Sequence, residues 1–207
     1  MIIIGDIHGC YKTLLSLLEK LPKGEKICLV GYLGDRGPLS KEVFSYVIEH
    51  KIDCVVGNHE DMMLRPDHLW FKNGGTTTIK EYENSPELLL AHQEWIKSLT
   101  TYIKYPEIKN KEGRYLIVSH SGITSLDLDE ISKSGNIYWN RSTPISNPEW
   151  FNVFGHTVVK EPLIHQDFAD IDTGCFYKAA GFGVLTALQF PEMVIFQQEN
   201  IDEMLPT

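Results

Sequence analysis

The chain has 207 residues, 43% of them hydrophobic and 11% aromatic, enough for a single domain over 1–207 with a substantial core. A formal net charge of −9 leaves no basic footprint for a nucleic-acid backbone, and no apolar run approaches a membrane span, so neither nucleic acid nor membrane is an expected partner. The same acidity would repel a phosphorylated ligand, which therefore needs cations or arginines concentrated where it binds.

In chain order, Ile2 to Ile4 is a short apolar run that stops at Gly5-Asp6, well short of a signal segment. Tyr11 to Leu21 carries leucines at 14, 15, 17, 18 and 21, a helical spacing ended by Pro22. Ile27 to Val30 and Cys54 to Val56 read as further buried strands, and between them a helix from about Lys41 to His50 is expected, with Ser40 as its cap. From about Leu64 to Lys111 the composition turns aromatic and polar, with Asn73-Gly74-Gly75 inside and Pro86 opening a stretch to Leu99, which predicts a helical insertion. Strands then follow at Arg114 to Ser119 and Trp150 to Phe154, and Leu185 to Phe190 with Met193 to Gln197 form a hairpin around Pro191-Glu192. The four cysteines form no CxxC pair and are expected to be reduced and buried, which points to the cytoplasm.

The chemistry-bearing residues fall at the ends of these strands. Asp6 and His8 follow the first, Asp35 and Arg36 the second, Asn58 and His59 the third, and His120 and His156 follow two later ones. In an α/β sheet the carboxyl edge is where ligands bind. Oxygen and imidazole donors gathered there suit Mn²⁺, Fe or Zn²⁺ in a two-metal hydrolytic centre, and Arg36 and Arg141 add planar forks for phosphate. His50, His68, His92 and His165 lack such a context and are expected on the surface; Trp70, Trp95 and Trp139 are expected to pack, and Glu60 to act only locally.

The motifs Gly5-Asp6-Ile7-His8-Gly9, Gly31-Tyr32-Leu33-Gly34-Asp35-Arg36-Gly37, Gly57-Asn58-His59-Glu60, Ser119-His120-Ser121-Gly122 and Gly155-His156-Thr157, in this order, resemble the metallophosphoesterase superfamily. The likeness is to its bacterial and phage Ser/Thr protein phosphatase branch, and it extends to Trp139-Asn140-Arg141 and Ile171-Asp172-Thr173-Gly174. It implies an α/β/β/α sandwich of two mixed sheets and hydrolysis of phosphomonoesters, most simply phosphoserine or phosphothreonine in proteins or a small phosphoester, with two Mn²⁺ ions (Fe or Zn as substitutes). It further implies that Asp6, His8 and His156 hold one metal and Asn58 and His120 the other, while Arg36, Asn58, His59 and Arg141 bind the phosphoryl group. His59 would be the general acid, its ring held by Asp35, and a metal-bound hydroxide would attack. Symmetrical hydrolysis of diadenosine tetraphosphate is the related alternative, although those hydrolases are generally longer. One position departs from the pattern: Tyr32 stands where the family places the aspartate that bridges both cations. A phenol, with an ordinary pKa near 10, is a poor bridge, so reduced activity or a phosphate-binding pseudo-phosphatase is expected.

Overall fold

The computed structural model describes residues 1–203. Two five-stranded mixed sheets stack face to face with helices on both outer sides, an α/β/β/α sandwich. The first sheet is ordered β10-β9-β1-β2-β3 and the second β4-β5-β6-β8-β7. The strands are β1 (Ile2–Ile4), β2 (Ile27–Leu29), β3 (Asp53–Cys54), β4 (Tyr102–Lys109), β5 (Tyr115–Ser119), β6 (Trp150–Phe154), β7 (Leu163–Ile164), β8 (Phe168–Asp170), β9 (Val184–Gln189) and β10 (Val194–Glu199). The helices are α1 (Tyr11–Lys20), α2 (Ser40–Glu49), α3 (Asn58–Leu64), α4 (His68–Trp70), α5 (Thr76–Glu81), α6 (Pro86–Lys97) and α7 (Leu128–Lys133).

The alternation of β1 explains the layering. Ile3 points between the sheets, where it meets Val30, Leu116, Val118, Val153 and Phe190, while Ile2 and Ile4 point outward to Leu14, Leu17, Phe44 and Val47 of α1 and α2. All three isoleucines are fully buried, each contributing on the order of 2 kcal/mol. A strand covered on both faces must read as an unbroken apolar run, and that is why so short a segment is recognisable. On the far side, α7 and the turn around Ile137 cover β5 and β6 through Leu128, Ile131 and Trp150.

Three expectations need correction. Ser40 is the first residue of α2, not its cap; the cap position is Leu39, and the helix N-terminus is instead served by Glu81, whose carboxylate accepts from the Ser40 and Lys41 N–H groups. The segment 64–111 is helical only to Lys97. Its last part is β4, which pairs antiparallel with β5 and belongs to the second sheet. His92 is buried, 3% exposed, with Tyr82 donating its hydroxyl to Nδ1 at 2.6 Å. The hairpin expectation holds, with β9 and β10 in antiparallel register. All four cysteines are free and buried, and among the described residues no helix is long and apolar enough to cross a membrane.

Candidate active site

The parallel strands β1, β2 and β3 end side by side, so the loops after them meet at one edge, joined by the loops after β5 and β6 from the second sheet. The backbone there is strained: His8, Tyr32, Asp35, Arg36 and His156 all have positive φ, between 50° and 71°. Non-glycine residues hold that conformation only where surrounding contacts over-determine it, and such residues gather at functional sites. The restraints are visible. The Glu60 carboxylate accepts the N–H groups of Tyr32, Leu33 and Gly57, tying the loops after β2 and β3 together. Glu60, expected to act only locally, is thus the pin between two motif loops.

His59 and Asp35 form the tightest pair. His59 Nδ1 donates to Asp35 Oδ2 at 2.5 Å, which fixes the tautomer and leaves Nε2 facing the site. Asp35 is held in turn by the indole N–H of Trp70 at 2.8 Å and the hydroxyl of Thr78 at 2.6 Å. Trp70 is fully buried, so it packs as expected, but its indole also fixes the partner of His59. Burial lowers the proton affinity of His59, and Asp35 opposes that shift.

Arg36 is folded into the site. Its Nη1 donates to His8 Nε2 at 3.1 Å and its Nη2 to His59 Nε2 at 3.4 Å. Its stem lies in a cradle made by Asn73-Gly74-Gly75: Nε donates to the Asn73 carbonyl and the backbone N–H to the Gly74 carbonyl. Gly74 has φ 106°, and a Cβ there would meet Arg36 Cγ at 2.6 Å, so this asparagine-glycine run is more than a turn. The outer face of the guanidinium stacks on Phe176, 4.4 Å from the ring centroid. Arg141 is exposed and donates to the His156 carbonyl at 3.4 Å. Its neighbour Trp139, expected to pack, is 42% exposed.

Tyr32 lies at the centre. Its ring sits 4.5 Å from His8, 4.3 Å from His59 and 4.1 Å from His120, and its hydroxyl donates to His156 Nδ1 at 2.7 Å. Burial and the nearby Asp6 push the phenol well above its usual range, so it stays protonated and is a donor. His8 and His120 are held neutral, chiefly by burial, and so is His156, pushed down to about 3. His120 Nδ1 donates to the Val30 carbonyl, and its Nε2 faces Asn58 Oδ1 at 3.2 Å.

Asp6 accepts from the His156 N–H through Oδ2, while its buried Oδ1 has no hydrogen-bond partner. Burial and the adjacent Asp172 push it well above the carboxylate range. Burial likewise raises Asp172 to about 6 and Asp170 to about 8. Asp170 and Asp172 alternate at the end of β8, a placement the sequence signalled only through the Ile171-Asp172-Thr173-Gly174 motif.

The sequence-chosen residues therefore converge at this one edge. His8 Nε2 is engaged by Arg36 and His156 Nδ1 by Tyr32, and among the described residues no three His, Cys, Asp or Glu side chains are disposed to hold one ion. Asn58 Oδ1 and His120 Nε2 face each other at 3.2 Å, and Asp6 Oδ1 and His156 Nε2 are buried without a hydrogen-bond partner. As placed, these residues do not fit a dinuclear centre, because the Tyr32 phenol occupies the middle of the histidine ring set, at the position where a bridging carboxylate would stand.

Residues 1–182 match the Calcineurin-like phosphoesterase family. A relative from Halalkalibacterium halodurans, bis(5'-nucleosyl)-tetraphosphatase PrpE (asymmetrical), is 32% identical over 92% of this chain and 90% of its own length. Among solved structures, a chain provisionally assigned as a diadenosine tetraphosphatase superposes with a TM-score of 0.72 at 21% identity, covering 98% of this chain and 94% of its own. A protein serine/threonine phosphatase from Saccharomyces cerevisiae gives 0.65 at 15%, covering 98% and 80%. Both share the fold. Enzymes of the matched family use divalent metal ions, and the five motifs, the sandwich and the family match agree: this chain is a metallophosphoesterase and belongs to the Calcineurin-like phosphoesterase family.

Proposed function

We propose that the chain acts on dinucleoside tetraphosphates or closely related nucleoside polyphosphates, cleaving them asymmetrically, with turnover held low by Tyr32. The observation that carries this is the placement of Arg36, a guanidinium held between His8 and His59 at the mouth of the strand-end loops. Support comes from relatives named for this reaction that match the chain over 90% of their own length. Chain length, which weighed against the symmetrical tetraphosphate hydrolases, does not weigh against these asymmetrical relatives, one of which matches 92% of this chain over 90% of its own length. In this reading an arriving phosphate takes the Arg36 prongs from the two histidines, and Arg141 grips it from the open side. His59 hands a proton to the leaving oxygen while Asp35 stabilises the charged ring.

A second reading, hydrolysis of phosphoserine or phosphothreonine, is favoured by the His59–Asp35 pair, because a poor alkoxide leaving group needs a positioned acid more than a phosphate leaving group does. Rates for diadenosine tetraphosphate, a phosphoserine peptide and p-nitrophenyl phosphate with added Mn²⁺, measured on the chain and on its Tyr32→Asp variant, separate the readings. The variant is expected to prefer the dinucleotide and release a nucleoside triphosphate. Preference for the phosphopeptide would reverse the order of the two readings. No hydrolysis of any of the three by the variant would leave a phosphate-binding protein.

A further inference from the structure

The loop 174–183, between the Asp172-Thr173 motif and β9, carries three aromatic rings in a row. Phe176 is innermost, meeting His8 edge-on at 4.9 Å and backing the Arg36 guanidinium at 4.4 Å. Tyr177 lies against it with ring centroids 3.9 Å apart, and Phe182 lies 5.9 Å beyond. The stack runs outward from the half-buried Arg36 guanidinium to solvent, and Tyr177 is 39% exposed. An exposed aromatic of this kind on the rim of a site invites a flat partner.

The loop is built rather than loosely draped. Gly174 N–H donates to Asp172 Oδ1, Gly183 N–H and Tyr177 N–H both donate to the Gly174 carbonyl, and Asn200 Nδ2 donates to the Cys175 carbonyl. At Gly174, φ is 66° and a Cβ would meet Tyr177 Cδ2 at 3.0 Å and Val158 Cγ1 at 2.9 Å, so the close approach that sets the Tyr177 ring needs glycine. The rings are therefore ordered before any ligand arrives, which reduces the entropy lost on binding. A ligand that suits both ends of the stack has an anionic group for Arg36 and a planar π-system one ring-spacing away. A nucleobase joined to its phosphates through a ribose has that form. An aliphatic phosphoamino acid lacks the planar part.

We propose that Phe176, Tyr177 and Phe182 form a base-stacking platform for the nucleobase of a nucleoside polyphosphate whose phosphates reach Arg36. This rests on the nucleotide reading of the site and names the residues that would make it selective. Tyr177 is the outward-facing member and thus the specificity-determining one.

Binding of 1,N6-etheno-ATP, followed by fluorescence without added metal, is compared with binding of inorganic tripolyphosphate, followed by calorimetry. Both are measured on the chain and on its Tyr32→Asp variant, each with and without Tyr177→Ala, with Tyr177→Phe as the conservative change and Leu163→Ala on exposed β7 as the remote control. Base stacking on one aromatic ring is worth enough that Tyr177→Ala should weaken the etheno nucleotide roughly tenfold in at least one background. Tripolyphosphate binding should stay within about twofold, and Tyr177→Phe should retain most of the affinity. The platform is overturned if Tyr177→Ala leaves the nucleotide unaffected in both backgrounds, if it weakens tripolyphosphate equally, or if no etheno nucleotide binds either background. Tyr177-dependent binding without any hydrolysis of diadenosine tetraphosphate would uphold the platform and defeat the hydrolytic reading alone.

Discussion

Replacing a carboxylate by the Tyr32 phenol removes the anion that two cations would share, fills the middle of the histidine set with a ring, and spends the His156 lone pair on a hydrogen bond. Tyr32→Asp reverses all three. We expect hydrolysis of p-nitrophenyl phosphate with Mn²⁺ to rise at least about a hundredfold, in line with the several kcal/mol that metal electrostatics contribute; equal rates would show that Tyr32 is no obstacle. The same variant offers a test free of turnover. Without metal, a third carboxylate beside Asp6 and Asp172 should lower its melting temperature, and millimolar Mn²⁺ should restore it by mass action, whereas the melting temperature of the unmodified chain should hardly move. At this scale the motif residues were legible because their types and spacing carry the chemistry directly. Thr78 and Phe176 were not, since a threonine or a phenylalanine announces nothing until the fold sets it against Asp35 or Arg36.

Elements position these residues through few contacts, and Glu60 at the start of α3 is the clearest case. Its carboxylate is buried and receives three backbone N–H groups from two loops, so removing it leaves three buried donors unpaired. Glu60→Ala should cost about 2–3 kcal/mol in chemical denaturation, and should lower activity of the Tyr32→Asp background further as the loops after β2 and β3 separate. A loss below about 0.5 kcal/mol would mean that the backbone of α3, not the carboxylate, holds the loops. The helices α1, α2 and α6 were readable from apolar spacing and proline punctuation. The start of α2 was misjudged because its cap comes from Glu81, far along the chain, and serine in the right place is only a local cue. β4 was missed because an edge strand with burial on one side alternates weakly and lies next to a helical composition.

At the scale of the molecule, the sandwich was legible from runs such as Ile2–Ile4, which require cover on both faces, while the layer of helices between 64 and 97 hid a buried histidine. His92 joins α6 to α2 and to Tyr82, and burial pushes its pKa down to about 4. Since the unfolded chain takes up a proton near the ordinary value of 6.5, stability is fully present above that pH and falls as pH drops towards about 4. Between about pH 8 and about pH 5 the chain should lose about 2 kcal/mol more than its His92→Gln variant in urea denaturation. A pH-independent difference between the two would remove His92 as the source.

β1 is an interior strand, flanked by β2 on one side and by β9 on the other, with Ile2 opposite Gln189. Asp202 then accepts the Lys12 and Thr13 N–H groups and the Thr13 hydroxyl at the start of α1. During synthesis, β1 and α1 thus wait for β9 and Asp202, far along the chain, to leave the ribosome before their sheet and first turn are complete. The loops bearing Asp6, His8 and Asp35 hang from that unfinished sheet, so the catalytic edge takes shape late, and a nascent chain would not have it.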